Sequence, residues 1–269
     1  NNDSGATILR SADSGERWTG VYTPSVVQRE QGSEGICALA IDPLTPATIY
    51  AAGLDSPVGA SPEGVILRSD GAGAMGTWTP VYTVTAQWYG FGVVAINPVT
   101  TSIVYAAGED CTGGSCVNNL YRTTDDGEHW TSVLTSTSLF RSLAIDHRNP
   151  NVVYATDDGH MVYKSTDAGD SWKPIEGPYG TFLAIDPRVP SFLYVAGMGW
   201  VWRSTDGGAH WDPLNAGLPW GIYPTAFALD SSTITQTLYL GGGGGVWAYS
   251  QPWPGSIVYL PLVLKSYAP

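Results

Sequence analysis

A chain of 269 residues with 12 Lys and Arg against 24 Asp and Glu carries a net charge of −12 and no basic run, which excludes a nucleic-acid binder dependent on phosphate contacts. None of its apolar runs reaches the roughly 18 residues that a membrane-spanning helix requires, so no span is expected. The 33 Gly, 19 Pro and 11 Trp alongside 43% apolar residues point to many short strands, tight turns and a substantial core.

In chain order, ILRSADSGERWTGVYT (8–23) reads as two strands around a turn, and it stands alone. A longer unit follows: LAIDP (39–43), TIYAAG (48–53), VILRS (65–69) and WTPVYT (78–83), four short strands in succession. The unit returns as VAINP (94–98), IVYAAG (103–108), NLYRT (119–123) and WTSVLT (130–135). It returns again as LAIDH (143–147), VVYATD (152–157) and MVYKS (161–165), then as LAIDP (183–187), FLYVAG (192–197) and WVWRS (200–204). A last copy runs FALDS (227–231), TLYLGG (237–242) and GVWAY (245–249). The equivalent positions Asp42, Asn97, Asp146, Asp186 and Asp230 are spaced by 55, 49, 40 and 44 residues. Four strands per repeat at this period predict an all-β propeller of four-stranded antiparallel blades, and no helical periodicity competes.

The expected count is five blades, with six, including an incomplete N-terminal blade, as the alternative. Residues 1–250 are assigned to the propeller and 251–269 to a tail or outer closing strand. That tail contains PWPG (252–255) and IVYLPLVL (257–264). The opening NNDSG, without Met, reads as the end of a processed or trimmed product.

Between the third and fourth strands the turns match in register: SADSGERW (11–18), TTDDGEHW (123–130), STDAGDSW (165–172) and STDGGAHW (204–211). A stretched copy is SDGAGAMGTW (69–78). These turns resemble the Asp-box, or BNR repeat, S/T-x-D-x-G-x-x-W, of sialidases, two-domain xyloglucanases, sortilin-type receptors and photosystem assembly factors. The resemblance covers nearly the whole chain and implies the fold; the families sharing it differ in function. Asp13, Gly15 and Trp18, with Asp125, Gly127 and Trp130, Asp167, Gly169 and Trp172, and Asp206, Gly208 and Trp211, are expected to hold turns together. The Asp accepts backbone N–H bonds and the Gly takes a positive φ. A calcium loop is the alternative, but the closing Glu and further oxygen ligands are missing, so no metal and no cofactor are expected.

Arg10, Arg68, Arg122, Lys164 and Arg203 fill one repeated position and read as a blade feature. No F/Y-R-I-P stretch exists, which argues against a sialidase with its converging arginines. Cys111 and Cys116 bracket CTGGSC and are expected to form a disulfide, favouring an extracellular or cell-surface setting, whereas Cys37 reads as a buried thiol.

The loops expected on the opposite face gather Trp88, Tyr89, Tyr179, Trp200, Trp220 and Tyr223 beside acids that include Glu109 and Asp157. Trp200 departs from its repeat, whose other copies hold Val65, Asn119, Met161 and Gly245. Exposed aromatics beside carboxylates suit stacking on sugar rings or contacts with a protein, so the expected partner is carbohydrate or protein, bound without catalysis. The alternative is a glycoside hydrolase using two of these carboxylates, although no pair stands out. Oligomeric state is not legible.

Overall fold

The computed structural model describes residues 8–23, 35–55, 61–87, 89–159, 161–178, 180–197, 199–214, 224–230, 235–242 and 245–252. Among them there is no helix; every sheet is antiparallel and follows chain order. The chain divides into two compact units, Asn1–Phe140 with Gly169–Ser171, and Arg141–Ala168 with Trp172–Pro269.

In the first unit, β1 (Ile8–Arg10) and β2 (Thr19–Tyr22) form a two-stranded sheet. A four-stranded sheet follows from β3 (Ile36–Ile41), β4 (Ile49–Asp55), β5 (Glu63–Ser69) and β6 (Trp78–Thr85). The next comprises β7 (Phe91–Ile96), β8 (Val104–Asp110), β9 (Val117–Thr123) and β10 (Thr131–Ser136). The following sheet, in the second unit apart from Phe140, is β11 (Phe140–Ile145), β12 (Val153–Asp157), β13 (Val162–Ser165) and β14 (Lys173–Ile175). Then come β15 (Phe182–Ile185), β16 (Leu193–Gly197), β17 (Trp200–Ser204) and β18 (Asp212–Pro213). Three strands, β19 (Pro224–Asp230), β20 (Thr235–Gly242) and β21 (Gly245–Pro252), form the last sheet.

The second strands β4, β8, β12 and β16 are buried on both faces, which explains their apolar runs, whereas β20 alternates and leaves Tyr239 exposed. In the first unit Tyr50, Ala52 and Ile66 pack on Phe91, Val104, Ala106 and Tyr121 of the next sheet. Ala51, between Tyr50 and Ala52, faces the other way, toward Ile8 and Val21. In the second unit Tyr154 and Val162 pack on Leu183, Leu193 and Val195, and Tyr194 and Ala196 on Leu238, Leu240 and Trp247. The repeated Tyr50, Tyr105, Tyr154 and Tyr194 are all fully buried, each ring contributing on the order of 2–3 kcal/mol of transfer free energy.

The residue ending each first strand closes the turn to the second. Asp42 Oδ1 accepts Leu44 N and Thr45 N at 2.8 and 2.9 Å; Asn97, Asp146 and Asp186 cap the same two amides in their repeats. The outer strands β14 and β18 are short and contain Pro174 and Pro213, residues an edge strand tolerates because a missing N–H there costs no ladder bond.

Cys37 is not buried. The β3–β4 register shifts between Ile36 and Ala38, and this bulge turns the thiol outward, where it donates to Gly35 O at 3.5 Å.

Candidate functional site

The Asp-box turns are built from the hydroxyl outward. Ser11 Oγ donates to Asp13 Oδ1 at 2.8 Å and accepts Gly15 N at 2.8 Å. Asp13 Oδ1 accepts Arg17 N at 2.8 Å, and Trp18 Nε1 donates to Gly15 O at 3.1 Å. The same set joins Thr123, Asp125, Gly127, His129 and Trp130, and again Ser204, Asp206, Gly208, His210 and Trp211. Ser165 donates to Asp167 at 2.7 Å in the remaining copy. Sequence reasoning assigned a positive φ to the Gly alone, but the preceding residue shares it: Ser14 at 60°, Asp126 at 58° and Ala168 at 55°.

Two successive left-handed residues aim the first one's carbonyl at the preceding sheet. Asp126 O accepts Tyr50 Oη at 2.8 Å and Arg68 Nη1 at 2.7 Å. Gly207 O accepts Tyr154 Oη at 3.1 Å and Lys164 Nζ at 3.0 Å. The repeated Tyr and the repeated cation thus join one sheet to the next turn. Asp125, Glu128 and His129 bring ligand atoms within 4.8 Å of one another, yet the oxygens of Asp125 already accept from Thr123, the His129 amide and the His129 ring. Chiefly through the His129 amide, then Thr123 and the His129 ring, the Asp125 carboxyl is pulled down to about 2.

Among the loops between second and third strands, Glu109 is buried, its Oε2 accepting Gln87 N at 2.9 Å and Tyr89 N at 3.0 Å. It therefore anchors the segment that holds Tyr89 47% exposed. Next to it, Asp110 Oδ2 accepts Tyr121 Oη at 2.5 Å and Asn119 Nδ2 at 3.5 Å, and its Oδ1 accepts Thr112 N at 2.9 Å. Burial pushes the Asp110 carboxyl up, but bonds from Thr112, Tyr121 and Asn119 outweigh it and hold it below its ordinary value. Burial first, and then the bond to Asp110, drive the Tyr121 hydroxyl far above the usual range. The Cys111–Cys116 disulfide, with an S–S distance of 2.01 Å, closes the loop. Glu109 lies beside both sulfurs, but as a disulfide they offer no thiolate to a metal.

In the second unit Asp157 is also buried, accepting Met161 N at 2.9 Å and Tyr163 Oη at 3.2 Å across the β12–β13 hairpin. Asp158 pairs with Arg141 at 2.9 Å. Glu109 and Asp157 thus both turn inward and brace loops. Tyr163 and Tyr121 occupy one position of the third strand, and each donates to an acid of the hairpin it belongs to. In β17 that position holds Trp202, and the preceding turn offers Gly197 and Gly199. The hydroxyl–acid pair gives way to an aromatic pair, Trp200 and Trp202, with ring centroids 6.1 Å apart and planes 26° from parallel. Trp200 is 41% exposed.

Strand alternation puts positions 200 and 202 on one face, so W-x-W is the sequence signal that pairs Trp202 with Trp200. Of the other sequence-selected aromatics, Trp88, Tyr179, Trp220 and Tyr223 lie outside the described residues.

No family model matches the chain. Xyloglucanase Xgh74A of Acetivibrio thermocellus is 26% identical over 227 residues, an alignment taking in 65% of this chain and 27% of that enzyme. The chain therefore spans only about a quarter of that relative's length, 27%. Among solved structures, the GH74 enzyme of Niastella koreensis matches at a TM-score of 0.60 and 19% identity, covering 87% of this chain and 37% of that one. YCF48 bound to D1 peptide matches at 0.56 and 14%, covering 84% and 70%. At such identities the likeness concerns the fold, and with the four-stranded repeats it makes the chain an all-β protein of the β-propeller class.

Proposed function

We propose that the chain is an extracytoplasmic carbohydrate-binding propeller in which the Trp200–Trp202 pair is the platform for a sugar ring. The observation that carries this reading is the partly exposed Trp200–Trp202 stack at a hairpin where Trp202 stands in the position that holds a hydroxyl donor in β9 and β13. An aromatic face suits the C–H side of a pyranose, and neighbouring polar loops suit its hydroxyls. The 26% identity to a xyloglucanase supports a β-glucan as the ligand class, and the disulfide supports the compartment. Tyr89, held out by Glu109, is a second exposed aromatic of the same kind.

Hydrolysis is the second reading, favoured by the named activity of that relative. It requires two carboxyl groups roughly 5–9.5 Å apart across a glycosidic bond, one able to give a proton. Asp110, held below its ordinary value, is unsuited to donate one near neutrality, and Glu109 and Asp157 are engaged with loop amides.

Retention on immobilised xyloglucan separates the readings. Trp200→Ala is expected to weaken binding at least about tenfold with an unchanged melting temperature. Equal retention of the variant and wild type rules the platform out. Release of reducing ends by the wild type, lost in Asp157→Asn or Glu109→Gln, establishes hydrolysis instead.

A further inference from the structure

The hairpin of β8 and β9 ends in a disulfide loop. Its ladder runs outward to the pairs Glu109 with Asn118 and Asp110 with Val117, and Cys111 and Cys116 are the next residues beyond them. The crosslink spans a sequence separation of 5, so it removes less unfolded-chain entropy than a long-range bridge would. A hairpin of this fold also closes without cysteine, as β12 and β13 do through Asp157 and Met161. Of the three Cys in the chain Cys37 is free, which leaves Cys111–Cys116 as the single bond a reductant can open. Cys116 is exposed, and its sulfur is open to an attacking thiolate.

The contacts of this loop reach out of its own hairpin. Cys111 N donates to Thr85 O at 2.7 Å, Thr112 Oγ1 accepts Thr85 N at 3.4 Å, and Cys116 Sγ lies 3.4 Å from Gln87 Oε1. Thr85 ends β6, in the preceding sheet, and the chain passes from it to β7 through Gln87 and Tyr89. That passage is fixed at both ends. Ala86 N donates to Pro62 O at 3.0 Å, and Gly90 packs so closely that a Cβ there would lie 2.2 Å from Gly53 O. Between these ends the amides of Gln87 and Tyr89 converge on Glu109 Oε2, at 2.9 and 3.0 Å. A carboxylate oxygen of Glu109 and the two sulfurs lie within 4.8 Å of one another. Bonded sulfurs donate nothing, whereas two thiols bring S–H donors beside the carboxylate that those amides share.

We propose that the Cys111–Cys116 disulfide is a redox latch on Tyr89, opened by exchange with a dithiol. The proposal rests on the reading of Tyr89 as an exposed aromatic contact for sugar. A thiolate of the dithiol attacks Cys116 Sγ, the S–S bond breaks, and Cys111 leaves as a thiolate that takes up a proton. The second thiolate then attacks the reductant sulfur joined to Cys116, which releases Cys116 to be protonated and closes the reductant's own disulfide. Two electrons and two protons pass from the dithiol to the cysteines. In the oxidised state the loop keeps Thr85 and the Glu109 acceptor aligned, and Tyr89 is seated. In the reduced state Gly113 and Gly114 free the tip, the outer ladder pairs fray and the S–H groups compete for Glu109. Gln87 and Tyr89 then lose their anchor while Ala86 and Gly90 stay fixed. A ligand that touches Tyr89 therefore binds the oxidised state better.

The test compares the oxidised full chain, the same chain reduced with dithiothreitol, and the double variant Cys111→Ser with Cys116→Ser. Amide hydrogen exchange, read residue by residue by NMR, needs no ligand. Exchange at Gln87 and Tyr89 is expected to rise at least about tenfold in both altered forms, with amides inside β8 and β9 still protected. Binding of soluble xyloglucan is expected to weaken by up to about tenfold in both forms, and reduction to add nothing to the loss in Tyr89→Ala. Unchanged exchange at Gln87 and Tyr89 overturns the latch. Loss of protection throughout β8 and β9 overturns it as well, because the bond is then a support of the sheet. Faster exchange with unchanged affinity, in the reduced chain and in Tyr89→Ala alike, overturns the link from the latch to the sugar. If instead Trp200→Ala binds like wild type, the platform reading is what fails, and exchange alone decides the latch.

Discussion

At the scale of single residues, the position before the box Trp holds His129 and His210 in two turns, and Arg17 and Ser171 in the others. His129 Nδ1 lies 2.7 Å from Asp125 Oδ2, and this bond raises the imidazole above its usual value, helped by the Asp125 charge. The signs follow from linkage. The His contribution is complete below an unfolded pKa of about 6.5 and is lost as pH rises through the raised folded value. The Asp125 contribution is present above its ordinary value of 3.8 and is lost as pH falls toward about 2. His129→Ala keeps the amide bond to Asp125 Oδ1 and removes only the ring. The melting-temperature gap between wild type and variant is therefore expected to be widest near about pH 5 and to close by about pH 8. The pair is exposed, so the gap is small, and a gap that stays constant from pH 5 to about pH 8 would assign the stability to packing of the ring.

At the scale of the element, the stretched turn 69–78 shows how a box survives without its Asp. Gly71 stands where Asp13, Asp125, Asp167 and Asp206 stand in the others, and Thr77 Oγ1 lies 2.5 Å from Ser69 Oγ. The two extra residues carry that hydroxyl into the place of the missing carboxylate. A Cβ on Gly71 would come within 2.4 Å of Thr77 Cγ2, so the two devices exclude each other. Gly71→Asp is expected to destabilise by roughly 1–3 kcal/mol through overpacking, and Gly71→Asp with Thr77→Gly to recover part of the loss in thermal melts. A stabilising single substitution would contradict this account.

The same turn marks the limit of sequence reading. The strands and boxes were legible because period-two apolar runs and D-x-G-x-x-W recur in register. Neither the role of Thr77 nor the link from Tyr50 to Asp126 O was visible, since each joins residues through geometry that no local pattern encodes. The acid loops show the same limit. Composition shows that Glu109 and Asp157 lie in polar loops, but only coordinates show their oxygens turned inward onto amides.

At the scale of the molecule, 12 cations face 24 acids, and the described cations are largely spent inside repeats. Arg68 and Lys164 hold carbonyls, and Arg68, Arg122 and Arg141 pair with Asp70, Asp170 and Asp158. Salt acts on two opposed terms. It weakens these few half-exposed pairs, each worth at most about 1 kcal/mol, and it screens repulsion within an excess of twelve negative charges. The repulsive term is long-ranged and involves every acid, so at low ionic strength, where the screening length is about 30 Å, it dominates. The melting temperature is therefore expected to rise as NaCl goes from about 10 mM to about 0.2 M, and then to flatten as the screening length falls below the spacing of surface charges. A fall over that range, measured by calorimetry at neutral pH, would mean that the Arg–Asp pairs outweigh the net charge.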